Sequence, residues 1–66
     1  MKIGNKLKNL RVAKGYSQSQ VAQLLDCSKS SISMYENDRR EPSLDMLVKL
    51  LRLYEATADS LLLSGE

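Results

Sequence analysis

At 66 residues the chain has room for one small domain, so residues 1–66 are read as a single domain. Apolar residues make up 42% of it, twelve of them leucine, which is too many for a disordered chain; histidine is absent and Cys27 is the lone cysteine. Those counts exclude an ordinary zinc site, Ser-His and Cys-His nucleophile pairs, and an internal disulfide. Neither a metal nor a cofactor is expected.

The net charge of +2 is unevenly spread: residues 1–40 hold eight basic and three acidic residues, while residues 41–66 hold two basic and five acidic. That asymmetry fits a polyanion partner on the first part and fits solvated helix faces equally well. The longest apolar run is three residues, too short for a signal peptide or a membrane span, so a cytoplasmic location is expected.

The periodicity is helical throughout, and five short segments are expected. The first, over residues 3–14, sets Ile3, Leu7 and Leu10 on one face and stops at Gly15, a left-handed cap. Ser17 opens the second as an N-cap, and Gln20 completes a capping box. Tyr16 and Val21 form a hydrophobic staple across that start, and Val21, Ala22, Leu24 and Leu25 supply the apolar side. After a turn, Ser28 caps the third segment, in which Ile32 and Tyr35 face inward. Ser30, Ser33, Met34 and Asn37 face the other way, with Lys29 at the edge. Pro42-Ser43 opens the fourth, with a stripe of Leu44, Leu47, Leu50, Leu51 and Tyr54. Thr57 caps a last short helix carrying Asp59, Leu61 and Leu62.

Two short helices joined by a tight turn, the second with a small polar outer face, form the helix-turn-helix pattern. Ala22 sits where the two must cross closely, and Cys27 takes an apolar turn position that suits a packed thiol. Ile3-Gly4, Leu7, Leu10-Arg11, Lys14 to Gln18 and Val21-Ala22 together resemble the Cro/cI-type (XRE) helix-turn-helix repressors. The resemblance continues through Ser28, Ser31 to Ser33, Tyr35 to Asn37, Arg40, Pro42 to Leu44, Asp59 and Leu61-Leu62.

This resemblance implies an all-α, compact five-helix bundle of the lambda-repressor-like type, with the third helix in the DNA major groove. It implies a phosphate contact at Gln18, base-facing roles for Ser28, Lys29, Ser30 and Met34 with Ser33 beside them, and a backbone contact at Asn37. Arg39 and Arg40 join as phosphate candidates on charge. It further implies that Arg11 and Glu36 pair between the first and third helices as a structural ion pair. Asp26 and Asp38 depart from the family, which often has glycine at both; either position is expected to cost about 1 kcal/mol or to leave its turn slightly altered.

Met46 and Leu53, off the stripe of the fourth segment, and Leu63 form a candidate dimer interface. The family commonly forms two-fold dimers through this region, which sets two recognition helices about 34 Å apart on a palindromic operator. The expected function is sequence-specific binding of double-stranded DNA as a homodimer, in transcriptional repression of the phage or mobile-element type. The alternative is a protein-interaction module such as an antitoxin. An enzyme is not expected, since no paired-carboxylate pocket or glycine-rich phosphate loop is visible.

Overall fold

The computed structural model of the chain describes residues 2–56. They hold four helices, α1 (Gly4–Ala13), α2 (Gln18–Leu24), α3 (Lys29–Glu36) and α4 (Leu44–Leu53), and no strand. The architecture is all-α, with four helices among the described residues rather than five; the segment expected after Thr57, and Leu63 with it, lies outside them.

Serine starts three of the helices. The hydroxyls of Ser17, Ser28 and Ser43 accept from the amides of Gln20, Ser31 and Met46 at 3.0, 3.0 and 3.1 Å. Each such cap is worth roughly 1 kcal/mol. Gln20 Oε1 also accepts from the Ser17 amide at 2.8 Å, closing the capping box. Ile3, ahead of α1, supplies no side-chain cap.

All four helices end in one way. A residue with positive φ follows the helix: Gly15 (80°), Asp26 (57°), Asp38 (58°) and Glu55 (55°). The amide beyond it bonds back to the last turn: Tyr16 to Arg11, Cys27 to Ala22, Arg39 to Met34 and Ala56 to Leu51, at 2.8–3.2 Å. This is the Schellman arrangement, which satisfies carbonyls that a helix end leaves open. Three of its four left-handed residues are acidic, so each also sets a negative charge at a negative helix end. Two of these carboxylates bind α1: Asp38 Oδ1 accepts from the Gly4 amide at 2.9 Å, and Glu55 pairs with Lys14. The Lys14 ammonium holds the Glu55 carboxyl below its ordinary pKa through that hydrogen bond.

α3 packs against both α1 and α2. Leu7, Val21, Ile32, Leu50 and Tyr54 are the most deeply buried side chains. At Gly4 the first turn of α1 lies so near the end of α3 that a Cβ would meet the Glu36 carbonyl oxygen at 2.5 Å. Only glycine permits that approach.

α4 corrects the expected stripe. Met46 and Leu53 are half-buried against the core beside Leu47, Leu50, Leu51 and Tyr54. Leu44, the first residue of the helix, is instead 77% exposed. Leu24, expected on the apolar side of α2, is likewise exposed.

Two expected outcomes follow from these ends and this core. Asp26 forms no ion pair among the described residues, so none offsets its left-handed backbone. Asp26→Gly should therefore raise stability to urea by about 0.5–1 kcal/mol; a loss on this substitution contradicts the assignment. Burial pushes the Tyr54 phenol up to about 12 from 10.0, with Glu36 adding and Arg11 opposing. The neutral phenol thus stabilises the fold fully below pH 10, and that contribution is lost as the pH rises through about 12. Tyr54→Phe should remove on the order of 2 kcal/mol of alkaline sensitivity between roughly pH 10 and 12. Parallel stability–pH curves for parent and variant refute this.

Candidate nucleic-acid interface

The helix-turn-helix consists of α2, the turn at Leu25–Ser28 and α3. Ala22 is buried at the crossing, where its methyl group lets the helices approach closely. Cys27 is half-buried against the core, and burial, with Asp26 adding, pushes its thiol pKa up, so it packs as a neutral side chain. With Ile32 and Tyr35 turned into the core, the opposite side of α3 is left to solvent.

That side forms an open concavity lined by Gln18, Lys29, Ser30, Ser33, Met34, Asn37 and Arg39. Every one of these is a residue the sequence singles out for DNA contact. Lys29 and Ser30 are exposed, and Ser33 and Met34 are partly covered. Asn37 closes α3, its Nδ2 donating to the Ser33 carbonyl at 2.9 Å and to Ser33 Oγ at 3.3 Å. Two expected residues lie outside the concavity. Ser28 is exposed, but its hydroxyl is occupied by the cap and by a 3.0 Å contact with Ser31 Oγ. Arg40 is exposed in the loop after α3. Lys29, Arg39 and Arg40 have no ion-pair partner among the described residues, which leaves three cations available to an anion.

Beneath this surface lies a buried polar node. Arg11 Nε donates to Glu36 Oε2 at 2.6 Å, and Nη2 donates to Oε1 at 3.1 Å. The third nitrogen, Nη1, donates to the Tyr16 carbonyl at 2.8 Å. The Glu36 hydrogen bond raises the Arg11 pKa against the opposing effect of burial. Gln18 Nε2 then donates to Glu36 Oε1 at 3.0 Å. Gln18 therefore belongs both to the node and to the rim of the concavity, a double position that no sequence spacing revealed. The Asp38–Gly4 bond was equally invisible in sequence, since its partners are 34 residues apart.

The family model for helix-turn-helix domains matches residues 7–61. The HTH-type transcriptional regulator ImmR of Bacillus subtilis (strain 168) is 40% identical over 62 residues, which cover 94% of this chain and 49% of that protein. The SPbeta prophage-derived uncharacterized HTH-type transcriptional regulator YonR of the same organism is 37% identical over 60 residues, 91% of this chain and 56% of that protein. The HTH-type transcriptional activator BcrR of Enterococcus faecalis is 35% identical over 66 residues, 100% of this chain and 32% of that protein. The chain thus spans about half the length of the first two, and about a third of the last.

Removing one member of the node strands a buried charge. Glu36→Ala should cost about 3–5 kcal/mol in urea denaturation, whereas Arg11→Met with Glu36→Leu should recover most of that loss. A single substitution that costs under about 1 kcal/mol contradicts this account.

Proposed function

Since the chain belongs to the XRE-type helix-turn-helix family, we propose that it binds double-stranded DNA sequence-specifically and regulates transcription. The carrying observation is the concave face of α3, where exposed polar side chains stand between unpaired cations over a rigid core. Lys29 donates to the O6 and N7 acceptors of guanine, Ser30 and Ser33 bond base edges, and Met34 packs on a thymine methyl. Gln18, Asn37, Arg39 and Arg40 bind phosphate and hold the register. Ser28 contributes at the entry to α3.

The binding species is a homodimer on a palindromic operator. Support for a second copy comes from the apolar surface of α4, where Leu44 and Val48 are exposed; of the residues expected at the interface, Met46 and Leu53 are half-covered against the core, and Leu63 lies outside the described residues. The regulatory effect is repression, of the phage or mobile-element type, and the prophage origin of YonR supports that setting. Activation is the second reading, because BcrR is an activator by name.

Selection from a pool of random duplexes should enrich a two-fold symmetric site. Its affinity should fall between about 50 and 200 mM salt with a log–log slope near −0.9 per phosphate neutralised. Lys29→Ala should reduce the preference for the selected site over random duplex by roughly tenfold. A reporter carrying that site separates repression from activation. Failure of the parent chain to enrich any site rejects sequence-specific reading.

A further inference from the structure

Asp38 holds a backbone conformation, φ 58°, that glycine adopts without strain. It also sets a negative charge immediately before Arg39 and Arg40, on the loop that leads away from α3. Both features oppose its presence beside a phosphate-binding surface, yet its side chain makes a specific long-range contact. Oδ1 accepts from the Gly4 amide at 2.9 Å. That amide opens α1, whose preceding residue, Ile3, has no side chain to cap it. The carboxylate is therefore bound at the positive end of a helix.

Three further observations make this contact a mechanical link. A Cβ on Gly4 would come within 2.6 Å of the carbonyl oxygens of both Tyr35 and Glu36, so the two helix ends approach too closely for any residue but glycine. The Asp38 amide donates to the Tyr35 carbonyl at 3.3 Å and the Arg39 amide to the Met34 carbonyl at 2.9 Å, so the turn is tied to the last turn of α3. Neither arginine has an ion pair of its own to fix it. They extend from the backbone of this turn, and the Asp38 carboxylate ties that backbone to the first residue of α1.

Given duplex binding as proposed above, we infer that Asp38 is a positioning residue of the DNA interface. Its carboxylate, bound to the first amide of α1, fixes the turn from which Arg39 and Arg40 reach phosphate. A glycine at this position keeps the turn and loses the anchor.

The test compares Asp38→Gly and Asp38→Asn with the parent on its selected duplex, after urea denaturation has shown each variant folded. Asp38→Gly should bind about tenfold more weakly, as expected when one arginine–phosphate contact is lost, and its salt slope should shrink by about one. Asp38→Asn keeps an oxygen acceptor and tolerates the left-handed backbone, so it should recover most of the affinity. In a chain that also carries Arg39→Ala and Arg40→Ala, Asp38→Gly should change binding little, because the groups it positions are gone. Gly4 amide exchange should quicken in Asp38→Gly and stay slow in Asp38→Asn.

Unchanged affinity and slope in Asp38→Gly overturn the inference. Tighter binding does too, since the carboxylate then only repels phosphate. An equal loss without the arginines assigns the effect to the fold at large, and an Asp38→Asn as weak as Asp38→Gly removes the anchor as cause. A parent that binds no duplex rejects the DNA reading itself, an outcome distinct from failure of the Asp38 variants alone.

Discussion

The buried contact of Arg11 with Glu36 fixes how the helices meet. Arg11 lies on α1, Glu36 ends α3, and the same cluster takes in the Tyr16 carbonyl before α2 and the Gln18 amide at its start. Two charges removed from water are tolerable only when every strong donor and acceptor finds a partner. No buried side-chain nitrogen or oxygen among the described residues lacks one. Hydrophobic burial alone does not specify rotation about a helix axis, because leucines can slide over one another at little cost. A bidentate guanidinium–carboxylate pair has one good geometry, so it sets the direction in which α3 points its polar side.

The helix ends add a second constraint. An acidic residue after a helix is doubly disfavoured, by its left-handed backbone and by the negative helix end. Asp38 and Glu55 nevertheless occupy such positions, and each reaches α1 from a distant part of the chain, one at either end of that helix. Glycine has no side chain with which to make such a link. The local cost thus coincides with a tertiary gain, which distinguishes these two residues from Asp26.

Much of this was legible in sequence, for identifiable reasons. Ser17, Ser28 and Ser43 mark helix starts because a serine hydroxyl caps through a local bond, and local bonds are encoded by spacing. The polar side of α3 was legible because Ile32 and Tyr35 fix its phase. α4 was misphased because seven of its ten residues are apolar, so several rotations bury a leucine stripe equally well. Neighbouring helices, not periodicity, decide among them, and they half-bury Met46 and Leu53 while leaving Leu44 out. Glu55 is not legible as a left-handed terminator, because glutamate carries no local signal for that conformation. The shared role of Gln18 depends on a carboxylate 18 residues away.

The exposure of Lys29 and Ser30 has a consequence for how such a domain changes over time. Neither side chain enters the core cluster or the Arg11–Glu36 node, so replacing either leaves the packing intact. Gln18 lacks that freedom, since its amide also completes the coordination of a buried carboxylate. If α3 reads DNA as proposed, recognition and folding are written in largely separate letters, and selection can rewrite the preferred operator through one or two surface codons on α3 while the scaffold that presents them is inherited unaltered.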